Sequence, residues 1–295
     1  MDIRKILFVT HFEELWFDAL QSLLNLRQAA LEHIVFLNVI EREKVALHRG
    51  TGYLKKEELR LREKANIHFI DWAETLFEQG MEVGVYIVVG SLAQQVVEAA
   101  TKEEVDLIVL GDRKQGGFKQ FYAASELSEI ARRTRIPVMV YKYAGEGHHA
   151  MAPFQRPLLA TDWGAASQRA VQYLRRLAAV IEEVHIVHVA SDESLNGDSV
   201  MAVQQTRKAY RQRLEEICDQ FAEDGISAKA HVMIGEPVTR VEQAARQYQA
   251  TMIVSGISLR PGWTPRWFGG KSQTLADRSG LTTLFFPPSA EQSPG

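Results

Sequence analysis

DLIVLGDRKQGGFKQFYAAS, Asp106 to Ser125, decides the fold. The apolar run Leu107 to Leu110 reads as a buried strand, and Gly111 ends it. A loop with Gly116 and Gly117 follows, and then a helix that carries Ser125. Strand, glycine-bearing loop and helix N-terminus together form an anion site, because backbone N–H groups point outward and the helix dipole favours negative charge. Many α/β proteins have such a turn. This one gains weight from its repetition: Met252 to Gly270 reads MIVSGISLRPGWTPRWFGG, with Gly256 lying 145 residues after Gly111 (256 − 111).

Working outward, the first half alternates strand and helix. Lys5 to Val9 is a continuous apolar run, the pattern of a central parallel strand. A helical pattern covers Glu13 to Leu31, and a second strand Ile34 to Ile40. A long amphipathic helix runs from Lys55 to Gln79, and an outer strand from Glu82 to Val89. Ser91 is expected to cap the helix Leu92 to Lys102. After the Leu107 strand come a helix to Arg133 and a last strand, Pro137 to Tyr141. The order βαβαβαβαβ implies right-handed crossovers and a doubly wound parallel sheet.

The second half repeats that order. VVGSLAQQVVEAATKEEVDLIVLG, from Val88, matches MIGEPVTRVEQAARQYQATMIVSG, from Met233. Such self-similarity marks an internal duplication. The expected domains are 1–143 and 155–288, with a small, polar linker at 144–154 and a disordered tail at 289–295.

The 295 residues suit two domains, and 46% apolar content supplies real cores. A net charge of −3 sets up no global attraction to nucleic acid or membrane. The Arg132, Arg133, Arg135 cluster falls at a helix C-terminus, where cations complement the dipole. The N-terminus enters a strand directly, and no run of about 18 apolar residues occurs. The expectation is a soluble, cytoplasmic protein. Cys218, the single cysteine, has no partner or activating motif in sequence.

In doubly wound sheets ligands sit beyond the carboxyl ends of the strands where strand order reverses. If the first and fourth strands of each half are neighbours, the loops after them face one crevice. His11 and Asp162 then occupy equivalent places, each beside a glycine-bearing loop. An Asp there hydrogen-bonds a base or sugar, or holds a metal on a phosphate. GGKS at Gly269 to Ser272 is not a Walker A motif, because Pro265 stands where its first glycine belongs. Trp263 and Trp267 in the second loop either stack on a base or cover the cleft. His185 and His188, three apart on one strand, point to opposite faces, one packed and one lining the sheet end.

The openings ILFVTHFEE and LLATDWGAAS, the segments VGSLAQQVVEAA and IGEPVTRVEQAA, and DLIVLG with IARRTRIPVMVY resemble the universal stress protein family in its tandem form. The resemblance covers nearly the whole chain. It implies two repeated, doubly wound, five-stranded parallel-sheet domains of the adenine nucleotide alpha hydrolase-like, Rossmann-like α/β class. Family members that bind ATP share a loop of the form G-x2-G-x9-G-[S/T] after the fourth strand, with an Asp closing the first. In the first half Gly111 and Ser125 match, while Lys114 and Ala124 replace glycines and His11 replaces the Asp. In the second half Asp162, Gly256 and Gly269 match, while Leu259 replaces a glycine and Gly270 the hydroxyl residue.

The resemblance therefore implies an adenine nucleotide, ATP with Mg²⁺, in the second half. Its residues would come from Thr161, Asp162, Val189, Gly256, Ser258, Gly262, Gly269, Gly270, Lys271 and Ser272. A weaker set in the first half is His11, Gly111, Lys114, Gly117 and Ser125. It also implies a stress-response regulator with little or no turnover, at most slow ATP hydrolysis, and a homodimer. The alternative is a nucleotide-free scaffold acting through dimerisation and protein partners. An adenylating or nucleotidyl-transferring enzyme of a related fold needs an HxGH or SGGxDS turn after the first strand. This chain has THFEEL and TDWGAAS there.

Overall fold

The computed structural model describes residues 3–10, 14–46, 53–112, 124–142, 152–190, 200–257 and 280–287. The chain divides into two compact units, 1–145 and 146–295.

The first unit runs β1 (Lys5–Val9), α1 (Glu14–Leu23), a 3-10 turn (Leu24–Ala29), β2 (His33–Glu41) and α2 (Arg42–Val45). It continues with α3 (Lys55–Glu78), β3 (Glu82–Gly90), α4 (Leu92–Lys102), β4 (Leu107–Asp112), α5 (Ala124–Arg133) and β5 (Val138–Lys142). Its strands lie in the order β3-β2-β1-β4-β5, all parallel. The apolar runs read as central strands are central, and the more polar β3 is an edge of its unit's sheet. Phe8 and Phe36 meet edge to face, 6.1 Å between ring centroids, and Trp72 of α3 packs on Phe36 at 5.6 Å. Each such buried ring contributes roughly 2–3 kcal/mol. The Asp106 carboxylate accepts from Arg4 N–H and Lys5 N–H, which fixes the start of β4 beside the start of β1.

The second unit runs β6 (Pro157–Ala160), α6 (Ala165–Arg175), β7 (Glu183–Ala190), α7 (Val200–Glu223) and β8 (Ser227–Ile234). It ends with α8 (Pro237–Gln247), β9 (Met252–Gly256) and β10 (Thr282–Phe286). Its order, β8-β7-β6-β9-β10, is that of the first unit, again all parallel. Thr251 does here what Asp106 does in the first unit, accepting Arg156 N–H on its hydroxyl oxygen.

Two local expectations need correction. The helix expected to reach Leu31 ends at Leu23 and tightens into a 3-10 turn, closed by Ala30 at φ 77°. There Ala30 N–H donates to Arg27 O and Leu31 N–H to Leu26 O, turning the chain into β2. Ser91 does hold the cap position of α4, but its side chain makes no capping bond. The hydroxyl is exposed, so water competes for it. At the matching place of α8, Glu236 does cap, accepting Thr239 N–H at 2.8 Å. Among the described residues no helix is long and apolar enough to cross a membrane.

Candidate functional site in the second unit

The pairing of β6 with both β7 and β9 puts the order reversal at β6, so the loops after β6 and β9 open on one crevice. Thr161 leaves β6 with its N–H on Val187 O at 2.9 Å. Its carbonyl lies 2.9 Å from His188 Nδ1, and a carbonyl only accepts, so Nδ1 carries the proton. Burial holds the His188 pKa below its ordinary value, opposed by that carbonyl and by Asp162. The imidazole is therefore neutral at pH 7.

The next three residues turn the chain into α6. Asp162 Oδ1 accepts Gly164 N–H at 2.9 Å and the Ser167 hydroxyl at 2.8 Å. The carboxylate thus closes the N-terminus of α6, where the dipole favours it. Trp163 sits at φ 65°, a left-handed conformation unusual for a bulky residue. Its ring lies against His188 at 4.8 Å, and the Arg213 guanidinium covers it at 4.5 Å.

On the other face of the sheet the crevice narrows to a slot. Val187, Val189 and Val241 give it apolar walls, while Thr161, Asp162 and Ser167 line its polar lip. Pro237 starts α8 at its mouth, and Ser255 and Gly256 close it from β9. Gly256 has a steric reason to be glycine. A Cβ there would stand 2.7 Å from Ser167 N and 2.9 Å from Ala166 Cβ, so any side chain would push α6 away.

Of the second-half residues singled out in sequence, Thr161, Asp162, Val189 and Gly256 converge on this slot. Ser258, Gly262, Gly269, Gly270, Lys271 and Ser272 lie outside the described residues, as do Trp263 and Trp267. In the first unit, Gly111 is buried in β4 and Ser125 is exposed in the first turn of α5. His11, Lys114 and Gly117 lie outside the described residues. Sequence reading missed Ala160, Ser167, Val187, Pro237, Val241 and Ser255. The i, i+4 spacing of Pro237 and Val241 in the repeated helix segment is the one signal that pointed to them.

His185 and His188 do take opposite faces, but both are buried. His185 lies in a stack with His231 and Tyr248, its Nδ1 3.1 Å from His231 Nε2 and its Nε2 3.1 Å from Glu183. Burial is the main cause that lowers the pKa of both, that of His231 to about 4. Burial also raises the Cys218 thiol to about 11, which leaves it unreactive at neutral pH.

The first unit repeats the frame with different fillings. Thr10 N–H donates to Leu37 O, and Asn38 Nδ2 donates to Thr10 O, so Asn38 does the work of His188. The strand registers align Val9, Leu37 and Leu110 with Ala160, Val187 and Ser255, and Leu92 opens α4 as Pro237 opens α8. All four first-unit residues are larger than their counterparts, and all four are buried.

The sequence model of the universal stress protein family matches residues 2–142 and again 153–286. The universal stress protein MJ0577 of Methanocaldococcus jannaschii is 27% identical over 153 residues, covering 47% of this chain and 94% of that protein. A universal stress protein structure from Archaeoglobus fulgidus matches with TM-score 0.73 at 21% identity, over 99% of this chain and 98% of that one. A putative universal stress protein from Pseudomonas aeruginosa matches with TM-score 0.63 at 19% identity, over 97% and 94%. At such identities these structures establish the fold.

Proposed function

The chain belongs to the universal stress protein family in its tandem two-domain form, and from that premise we propose that the slot of the second unit holds an adenine nucleotide. The observation that carries the reading is the slot itself. It has apolar walls from Val187, Val189 and Val241 with one carboxylate at the lip, where a doubly wound sheet binds ligands. A purine ring suits such walls. Asp162 is the acceptor for its amino group or for a ribose hydroxyl. A carboxylate has about four acceptor positions, so the bonds to Gly164 and Ser167 leave capacity. We assign the phosphates, with Mg²⁺, to the segment carrying Ser258, Gly262, Gly269, Gly270, Lys271 and Ser272. Asp162 takes the base or sugar and has no part in phosphate chemistry. The protein acts as a regulator that binds nucleotide and turns it over slowly or not at all.

The first unit is the contrast. Val9, Leu37, Leu92 and Leu110 put larger, buried side chains at the corresponding positions, and we propose that it binds no nucleotide. Equilibrium dialysis of the full chain against ATP, ADP, AMP and GTP tests the reading. It predicts one adenine nucleotide per chain and a clear preference over GTP. Two equivalents per chain, or no base preference, would contradict it.

A second reading has its own support. Gly256 and Asp162 both have structural reasons to be what they are, one for close packing against α6 and the other for closing that helix. A nucleotide-free scaffold would keep both. Dialysis with no retained nucleotide would favour it.

A further inference from the structure

Helix α3 is apolar on two sides. Its inner side is occupied: Ala65, Trp72, Ala73 and Leu76 are buried against the sheet. Its outer side carries Leu59, Ile67, Ile70 and Phe77, exposed by 48%, 62%, 53% and 58%. With Glu63 and Glu74 between them, these residues form one stripe at helical spacing, about 27 Å long. The fold does not demand it. Helix α7 has the same length and the same place in the second unit. There the corresponding positions are Gln204, Gln212, Glu215 and Ala222, all exposed.

The charges along α3 are polarised. Its five basic residues, Lys55, Lys56, Arg60, Arg62 and Lys64, all lie in the first half beside Glu57, Glu58 and Glu63. Arg60 pairs with Glu57 and Arg62 with Glu58. That half is net positive, while Asp71, Glu74 and Glu78 make the second half acidic. We propose that α3 is the surface through which two copies of this chain pair, helix against helix, antiparallel about a two-fold axis beside His68. That register sets Leu59 against Phe77 of the second copy and Ile67 against its Ile70. It also brings Lys64 beside Glu74 and Arg60 beside Glu78 of the other copy. Glu63 faces Glu74 across the stripe, and Lys64 offsets that repulsion. A parallel pairing would set Arg60 on Arg60 and Glu74 on Glu74. The same stripe on both partners makes the contact isologous and self-closing. A lipid surface suits α3 less well, since its six acidic side chains outnumber the five basic ones.

Sedimentation velocity of the full chain from about 1 to 100 μM tests the proposal. Wild type should shift from monomer to dimer across that range. Ile67→Glu with Ile70→Glu should remain monomeric with an unchanged thermal unfolding curve. Lys64→Glu should weaken the dimer at least about fivefold, and adding Glu74→Lys should restore it. The two positions are about 15 Å apart along one helix, so restoration reads a contact between copies. A wild type monomeric throughout, or a dimer that survives the Ile67 and Ile70 changes, overturns the surface. A loss at Lys64 that Glu74→Lys does not repair overturns the antiparallel arrangement.

Discussion

The two halves share a frame and differ in what fills it. Both close their first strand with a threonine whose carbonyl takes a side-chain hydrogen bond from the second strand, Asn38 in one unit and His188 in the other. Both place a glycine at the end of the fourth strand, Gly111 and Gly256. Beside that shared frame, Ala160, Val187, Pro237 and Ser255 leave a slot, while Val9, Leu37, Leu92 and Leu110 bury larger side chains in the same places. The two units thus differ in side-chain volume at these positions while sharing one strand order. The same holds for the long helices, apolar on the outside in α3 and polar in α7.

The comparison can be broken first at Gly256. Gly256→Ala should cost about 3 kcal/mol in urea denaturation, because the new Cβ meets backbone rather than a movable side chain. A cost under about 1 kcal/mol would show that α6 yields easily. Acid should separate the halves next. The His231 pKa falls from 6.5 unfolded to about 4 folded, and those of His185 and His188 are also lowered. The folded second unit therefore binds fewer protons than its unfolded chain between those values. Its stability is complete above pH 6.5 and declines as pH falls toward about 4. In the first unit, among the described residues, His33 is the histidine whose pKa is lowered. Hydrogen exchange should show β7 and β8 losing protection on acidification before β1 and β2 do.

A smaller effect is expected at Asp162. Asp162→Ala removes two hydrogen bonds from the start of α6 and should cost about 1–2 kcal/mol by thermal unfolding. The change also disturbs the lip of the slot, so lost binding in that variant would not isolate a contact to nucleotide. The finest comparison is between the caps. Glu236→Ala should cost about 1 kcal/mol, while Ser91→Ala should stay within about 0.5 kcal/mol, since only Glu236 makes its bond.

Much of this was legible in the sequence because it is local. Strand, glycine and helix follow one another within 20 residues of Asp106, and the repeat at Met252 confirms the reading. Thr161, Asp162 and Gly256 could be chosen from the carboxyl ends of strands, Val189 came with the family resemblance, and all four do line one slot. What stayed hidden is non-local. Ser255 and Ala160 become neighbours only through the register of β9 on β6, 95 residues apart in the chain (255 − 160). Gly256 read as a glycine of a phosphate loop, whereas its closest constraint is the start of α6, which only the folded chain brings there. Ser91 fits every local rule for a cap and still makes no bond, since an exposed hydroxyl has water to turn to.

The most direct test carries the first unit's filling into the second. Titration of the full chain with ATP and Mg²⁺ by calorimetry, on wild type and on Ala160→Val with Pro237→Leu, would compare the open slot with a filled one. Roughly micromolar binding in wild type, weakened at least about a hundredfold in a variant that unfolds normally, is the predicted result. Equal binding by both proteins would place the nucleotide elsewhere, and no heat from wild type at millimolar ATP would contradict the account.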